Sequence, residues 1–319
     1  MIITVTLNPS LDRTIEVPEL VRGHVLRISG GHLHPGGKGV NVTRALLANG
    51  VPSRAVLPVG GPEGAQLVGM LAADAVDAIT VSIAGSTRTN IAVAEPDGTV
   101  TKLNEPGPSL SAAELESVVG AALDTAQPGD WIVLCGSLPQ RTDPDIYAQM
   151  IGRIRERGLR AAVDTSGPAL ARVVLAGPDL IKPNAEELAE AVGRPLRTRA
   201  EIVEAAHELQ QAGARRVLVS LGGAGAVLVD EDGVQVGTSI ALVPRSTVGA
   251  GDSFLAGYLS AEASGGAAAL ATALSWGAAA VQLPGTQMPA PSDIDPAAAH
   301  VLTDDERDAV MDEPLVGTD

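Results

Sequence analysis

Residues 246–257 read STVGAGDSFLAG, a glycine-rich turn that runs directly into an apolar helical pattern. The first amide groups of such a helix have no intrahelical partner and lie at the positive end of the helix dipole, so they can bind an anion. We expect the amides of Gly249, Ala250 and Gly251 to form this anion cradle. Phe254 stands where a dinucleotide-binding fingerprint has its third glycine, which excludes that motif.

Asp252 lies inside the predicted anion cradle. A carboxylate beside a bound phosphate is electrostatically unfavourable unless it has a task, such as accepting the proton of an attacking hydroxyl group. The alternative is an ordinary acidic residue that stabilises the dipole of the helix from its first turn. The spacing alone leaves both interpretations open.

A second glycine-rich segment, GGKGVN at residues 36–41, also enters a helical pattern. It is not a Walker A loop, because His32 and Gly39 stand where that motif has glycine and Ser or Thr. The diglycine lets a ligand approach the backbone, and the Asn41 amide can donate and accept hydrogen bonds with hydroxyl groups. A tight turn with a helix cap is the alternative.

The rest of the chain alternates short β-rich runs with helical ones. Near-continuous apolar runs are typical of parallel strands that are covered on both faces. The alternation therefore predicts a right-handed, doubly wound α/β domain with a mostly parallel sheet flanked by helices. The predicted strands are residues 2–7, 54–59, 78–83, 130–135, 160–164, 179–183 and 216–221, and the predicted helices are residues 40–49, 111–125 and 143–157.

Two insertions break this pattern, because they contain alternating runs without crossover helices. One of them carries an Asp97-Gly98 turn, which is a hairpin signal, so we expect a small antiparallel β-sheet that stands off the main domain. A final acidic stretch shows little periodicity and is expected to be flexible. The predicted parts are a core of residues 1–10, 35–86 and 105–302, a small β-sheet of residues 11–34 and 87–104, and a tail of residues 303–319.

Further candidate residues follow predicted strands. Asp12 comes after the first strand, at the sheet edge where open α/β folds bind ligands, and its carboxylate could accept two sugar hydroxyls. Arg88 opens the second insertion and could bind a phosphate with two parallel hydrogen bonds. A turn aspartate and a solvated surface arginine are the simpler alternatives.

Asn184 and Glu187 have the spacing of a capping box, or of a site for hydrated Mg²⁺ with Lys182 facing phosphate. The triple-glycine segment SLGGAG at residues 220–225 could be a tight turn between strands or a ledge for a nucleotide. The local sequence does not decide between the two interpretations of either segment.

The 319 residues contain 38 acidic and 22 basic side chains, a net charge of −16. This balance argues against non-specific binding to nucleic acid or to an anionic membrane. Cys135 is the single cysteine, so an intrachain disulfide is excluded. The uncharged stretch 263–292 consists of small residues interrupted by prolines, which favours buried helices and a loop over a membrane span. We expect a cytoplasmic enzyme.

Taken in order, these segments resemble the phosphofructokinase B branch of the ribokinase-like family over residues 1–295. The motifs that carry the resemblance are GGKGVNVTRAL (36–46), TRTNIAV (87–93), NEPGP (104–108), CGSLP (135–139), KPNAEEL (182–188), SLGGAGA (220–226) and STVGAGDSFLAG (246–257). The resemblance implies an ATP- and Mg²⁺-dependent sugar kinase with Asp252 as catalytic base and a β-sheet lid formed by the two insertions. A lid sheet with one uncovered face often finds a partner, so we also expect a homodimer through the lid.

The resemblance also implies the other site residues. The residues expected to contact the substrate are Asp12, Gly36, Gly37, Lys38, Asn41, Arg88, Asn90 and Ser137. Those expected to contact ATP are Lys182, Asn184, Ser220, Gly222, Gly223, Gly225 and Gly251. Mg²⁺ would be held by Asn184 and Glu187. Ser246 and Arg88 resemble the sugar-phosphate members of the family. Phosphorylation of fructose 1-phosphate at its C6 hydroxyl is therefore expected, with a tagatose 6-phosphate or fructose 6-phosphate kinase, or a weakly catalytic sugar-phosphate sensor, as alternatives.

Overall fold

A computed structural model describes residues 1–28, 30–241 and 245–315, and these form a doubly wound α/β core with a smaller sheet beside it. The strands of the described residues are β1 (Ile2–Thr6), β2 (Ser10–Glu16), β3 (Gly30–Gly36), β4 (Ser53–Val59), β5 (Ala78–Ser82), β6 (Arg88–Ala94), β7 (Val100–Asn104), β8 (Trp131–Cys135), β9 (Arg160–Asp164), β10 (Leu180–Ile181), β11 (Val217–Ser220), β12 (Ala226–Asp230), β13 (Gly233–Ser239) and β14 (Ala299–Val301).

The ten-stranded core sheet of the described residues has the order β14-β13-β12-β11-β10-β9-β8-β1-β4-β5. All seven predicted strands form its parallel part, which confirms the predicted fold class. The antiparallel strands β12–β14 were not predicted, although a second Asp-Gly pair, Asp232-Gly233, marks the β12–β13 turn. The chain extends from β1 to β4 on one side and returns to β8 on the other, so a topological switch point lies between β1 and β8.

Helices cover both faces of the core sheet. They are α1 (Lys38–Ala48), α2 (Gly61–Ala73), α3 (Ala112–Asp124), α4 (Ile146–Glu156), α5 (Pro168–Leu175), α6 (Ala185–Val192), α7 (Arg199–Ala212), α8 (Ala250–Ala261), α9 (Gly266–Val281) and α10 (Asp304–Val310). Alternate strand residues point into two apolar layers: Ile3 and Ile132 belong to one cluster, and Ile2 and Val133 to the other. No helix in the described ranges is long and apolar enough to cross a membrane.

The smaller sheet, which we call the lid, consists of β3-β2-β6-β7. Its two hairpins are antiparallel as expected, whereas the central pair β2 and β6 is parallel, with Asp12 opposite Asn90. The predicted turn lies between β6 and β7, and Gly98 takes the positive φ of 93° that a tight turn requires.

In the acidic stretch from residue 303, for which we expected a flexible tail, residues 303–315 form a short helix and pack against the core, and residues 316–319 lie outside the described part. Thr303 caps α10 together with Glu306, and the amide of Leu315 donates to the Arg197 carbonyl at 2.8 Å. Leu315 is only 8% exposed and belongs to the core cluster. The short helix was missed because three acidic residues in its first turn resemble a solvated tail, although they suit the positive end of a helix dipole.

Leu315→Ala should lower the free energy of unfolding by about 2 kcal/mol, the lower range for a buried leucine, since the site is near the end of the chain and can relax. Urea denaturation measures this change. Leu175→Ala is the matched control, because Leu175 is 69% exposed and its loss should change stability by less than about 0.5 kcal/mol. Equal effects of the two variants would contradict the packing of residues 303–315.

Candidate active site

The candidate site lies where the parallel strands of the core end, next to the switch point between β1 and β8. Asp164 is the last residue of β9, and Lys182 and the 220–225 turn follow β10 and β11. Ligands of open α/β sheets bind at this edge because the loops from both directions separate there and leave a crevice. The start of α8, with Asp252 in its first turn, faces the same crevice.

Helix α8 begins as its sequence predicts. Gly249 has a φ of 80° at the N-cap position, and no side chain caps the helix. Ser253 donates its amide to the Gly249 carbonyl at 2.9 Å, but the amides of Gly251 and Asp252 have no backbone acceptor among the described residues. The start of α8 can therefore bind an anion through free N–H groups.

Asp252 is 7% exposed and accepts a hydrogen bond at 2.9 Å from the amide nitrogen of Asn41. Burial and the nearby carboxylate of Asp164 raise the pKa of Asp252 to about 6. The hydrogen bond from Asn41 opposes this rise, because it stabilises the charged form. A carboxylate with such a pKa is ionised at neutral pH and can still take up a proton, which is what a general base requires.

A charge cluster lies at the base of the same crevice, formed by the buried Asp164 and Lys182 and by the partly exposed Lys38. The Asp164 carboxylate is 2.7 Å from the Lys38 ammonium and 3.3 Å from that of Lys182. Burial alone would raise the pKa of Asp164, but the two lysines hold it below its ordinary value. The sequence analysis missed Asp164, although an aspartate that ends a predicted buried strand could have identified it.

Lys38 was assigned to the substrate, and the structure places its ammonium group within the charge cluster. It also lies 3.6 Å from a carboxylate oxygen of Glu187. Burial opposes a charged lysine, yet the carboxylates of Asp164 and Glu187 raise the pKa of Lys38 above its ordinary value. Lys38 therefore remains a cation that faces the crevice.

Asn184 and Glu187 form a true capping box at the start of α6. Each side chain accepts the other residue's backbone amide, at 2.8 and 2.9 Å. This arrangement leaves Oε1 of Glu187 facing Lys38. Within the described ranges, no three His, Cys, Asp or Glu side chains gather in a way that could hold a metal ion. Asn184 and Glu187 offer oxygen donors, the type that a hydrated Mg²⁺ takes, and such an ion needs few protein ligands.

Asp12, Ser10 and Asn90 form a polar group on the lid next to the core. One carboxylate oxygen of Asp12 accepts hydrogen bonds from the Ser10 hydroxyl at 2.7 Å and from the Asn90 amide at 2.9 Å. A Cβ on Gly36 would lie within 2.5 Å of this carboxylate, so only glycine fits there. The second oxygen of Asp12 remains available, and Asn90 Oδ1 is buried with no described partner.

Arg88 and Ser137 lie at the hinge between lid and core. Arg88 donates to the carbonyls of Glu105 and Asn8 at 2.9 and 3.0 Å, and burial lowers the pKa of its guanidinium. The Asn8 amide donates to the Pro106 carbonyl at 3.1 Å and to the Ser137 hydroxyl at 3.3 Å. Sequence analysis did not single out Asn8, which joins both ends of the lid to the core.

Two adjoining clefts combine these groups. The core cleft has a volume of 710 Å³, the lid cleft has 540 Å³, and Lys102 and Val248 line both. Of the predicted residues, Asp12 and Asn90 line the lid cleft, whereas Gly36, Gly37, Asn41, Arg88 and Ser137 line neither. Those lining the core cleft are Lys38, Lys182, Asn184, Glu187, Ser220, Gly222, Gly223, Gly225, Gly249, Ala250, Gly251 and Asp252.

The site combines a base at a free anion site, two ammonium groups, of which that of Lys182 is buried, and an adjoining polar cleft. This combination suits an enzyme that transfers a phosphoryl group to an alcohol. A sequence model described as pfkB family carbohydrate kinase matches residues 5–293. The chain belongs to this family and is an ATP-dependent carbohydrate kinase. The predicted resemblance is thereby confirmed.

Named relatives agree with this assignment. The chain is 39% identical to 1-phosphofructokinase of Rhodobacter capsulatus, over 87% of this chain and 90% of the relative. It is 36% identical to ATP-dependent 6-phosphofructokinase isozyme 2 of Escherichia coli, over 80% and 83%. The crystal structure of Escherichia coli phosphofructokinase-2 with substrates and products superposes with a TM-score of 0.86, at 33% identity over 92% and 96% of the chains. Arabidopsis thaliana ribokinase, at 21% identity and a TM-score of 0.71, shares the fold, covering 93% of this chain and 96% of its own.

Asp252→Asn should lower kcat about 100- to 10,000-fold, because an amide cannot accept the proton of the attacking hydroxyl. Binding of ADP, measured by calorimetry, should remain within about threefold, since the charge cluster and the glycine turn are intact. Asp230→Asn is the matched control: Asp230 is also 7% exposed but lies outside both clefts. A loss of kcat below about threefold for Asp252→Asn would refute its role.

The kcat/KM of the enzyme should fall as the pH drops below about 6. The Asp252 carboxyl has its pKa raised to about 6, so acid protonates it and removes the base, and the rate at pH 5 should be about tenfold below the plateau. A substrate phosphate also titrates near this pH. The pH profile of the residual activity of Asp252→Asn separates the titration of Asp252 from that of the substrate phosphate. This profile should lack the part of the acid limb that belongs to Asp252. An unchanged acid limb would contradict the assignment.

Proposed function

We propose that this kinase phosphorylates fructose 1-phosphate at its C6 hydroxyl to give fructose 1,6-bisphosphate. The observation that carries the proposal is the buried Asp252 carboxylate, held by Asn41 at the start of α8, where it lines the core cleft. The family and the names of the relatives support a sugar-phosphate acceptor. Ser246, at the edge of the lid cleft, carries no charge that would repel a substrate phosphate.

ATP would occupy the core cleft, with its base and ribose against the glycines of the 220–225 turn. The sugar hydroxyl oxygen attacks the γ-phosphorus, Asp252 accepts the hydroxyl proton, and the bond to the β-phosphate oxygen breaks so that ADP leaves with its electron pair. The free amides of Gly251 and Asp252, with Lys38 and Lys182, offset the negative charge that develops on the transferred group.

Mg²⁺ would be bound mainly by the triphosphate and water, with Glu187 at the edge of the core cleft and Asn184 fixing the position of Glu187 through the capping box. When bound, it supplies positive charge that neutralises phosphate oxygens. The oxygen of Glu187 that the cap leaves free is the feature that supports this role.

The sugar would lie in the lid cleft. The free oxygen of Asp12 and the unpartnered Asn90 carbonyl suit sugar hydroxyls, and Gly36 and Gly37 allow the close approach of the α1 start. Arg88 would meet the substrate phosphate with the N–H groups that its two backbone acceptors leave free, near Ser137. Its buried, unpartnered Nε supports a ligand at this hinge.

A fructose 6-phosphate kinase is the second candidate. The 36% identity to a relative named 6-phosphofructokinase and the likeness to Escherichia coli phosphofructokinase-2 favour it. The site chemistry is the same in both cases, because moving the phosphate from C1 to C6 changes only which lid residue meets it. A tagatose 6-phosphate kinase would differ in the same way.

An ADP-release assay with fructose 1-phosphate, fructose 6-phosphate, tagatose 6-phosphate and free fructose should separate these candidates. We expect kcat/KM to be highest for fructose 1-phosphate and at least about 100-fold lower for free fructose, which leaves buried phosphate donors unpaired. Protein carrying Asp252→Asn, purified in parallel, controls for contaminating kinases. A preference for either 6-phosphate would overturn the proposed substrate, and no turnover with any sugar would favour a sensor.

We also propose a homodimer that joins through the lid. The outer part of the lid exposes apolar side chains at Val25, Ile28, Val100 and Leu103. Strand β7 is an edge strand of the lid, and an exposed edge with apolar neighbours is stabilised when a second chain covers it.

A further inference from the structure

Arg199 is the first residue of α7 and is only 8% exposed. A positive charge at a helix N-terminus meets the positive end of the helix dipole, which is unfavourable. Burying a long side chain also costs conformational entropy. Such a residue needs contacts that offset both costs.

The guanidinium of Arg199 joins two separate parts of the chain. One terminal nitrogen donates to the Ala224 carbonyl at 3.1 Å. The other donates to the Val310 carbonyl at 3.5 Å and lies 3.6 Å from the Glu313 carboxylate. Arg199 therefore connects the 220–225 turn with the end of α10.

The 220–225 turn is the proposed nucleotide ledge. Gly222 and Gly223 are exposed to the core cleft, and the amide of Leu221 closes the turn on the Gly225 carbonyl at 2.8 Å. On its far side the turn is pressed against β13, where a Cβ on Gly225 would lie 2.1 Å from the Gly237 carbonyl. On the opposite side of the turn, the Ala224 carbonyl accepts the hydrogen bond from Arg199.

Residues 303–315 support Arg199 from outside the region that matches the family, which ends at residue 293. The amide of Ala200 donates to the Met311 carbonyl at 2.9 Å, and Leu315 is buried against the core. Residues 303–315 therefore pack beside Arg199 and hold its side chain next to the 220–225 turn.

We propose that Arg199 is a positioning residue for the nucleotide, and that residues 303–315 act through it to hold the ledge in place. This inference rests on the proposed binding of ATP in the core cleft. Arg199 touches neither substrate, so its loss should weaken nucleotide binding selectively while the sugar site keeps its geometry.

Arg199→Met removes the donors and keeps the length of the side chain, and Arg199→Lys keeps the charge but not the fork that reaches both carbonyls. Arg194→Met is the matched control, since Arg194 pairs with Glu208 on the outer surface of α7 and does not line either cleft. Each full-length variant is titrated with ADP by calorimetry. The KM values for ATP and fructose 1-phosphate and the melting temperature are measured in parallel.

We expect both Arg199 variants to raise the Kd for ADP and the KM for ATP about five- to twentyfold, with the KM for fructose 1-phosphate within about twofold and Arg194→Met unchanged. Equal rises of the two KM values, or a lower melting temperature with an unchanged Kd for ADP, would overturn the inference. Wild-type protein that binds ADP but does not turn over fructose 1-phosphate would refute the proposed substrate, while the ADP titration still decides the role of Arg199.

Discussion

The hydrogen bond between Asn41 and Asp252 is the contact on which the site depends. It joins the first turns of two helices whose residues are 211 positions apart in the chain, at a carboxylate that is almost completely buried. Burial raises the pKa of this carboxyl group, and the hydrogen bond, together with the charges of Lys38 and Lys182, opposes that rise, so the pKa is about 6 and the group is ionised at neutral pH. The bond also fixes the position of the carboxylate at the core cleft.

The charge cluster adds a second constraint. Asp164 lies between Lys38 and Lys182, and Glu187 lies 3.6 Å from Lys38, so carboxylates hold both ammonium groups in place at the core cleft. Removing one partner from a buried ion pair leaves an uncompensated charge, which is strongly destabilising. A polyanionic ligand meets ammonium groups that the protein already holds in position, so little reorganisation accompanies its binding.

Much of the fold could be predicted because its signals are local. Seven apolar runs became the parallel strands, Ser111 and Glu114 formed the predicted cap of α3, and the Asp97-Gly98 turn lies where its sequence indicates. The hairpin of β12 and β13 carried the same Asp-Gly signal and was overlooked. The packing of residues 303–315 could not be predicted, because it depends on Arg197 and on the first two residues of α7, Arg199 and Ala200, which lie about 110 residues earlier.

The sequence by itself determined which backbone segments can bind an anion and which strands are buried, since helix starts, glycine turns and apolar periodicity act within a few residues. The motifs, taken in their order along the chain, also determined which types of residue the site contains. The tertiary structure alone decided that Lys38 pairs with Asp164, that Asn8 and Arg88 lie at the lid hinge, and that Arg199 supports the glycine turn. These relations depend on the distances between strand ends and helix starts, which only the folded sheet sets.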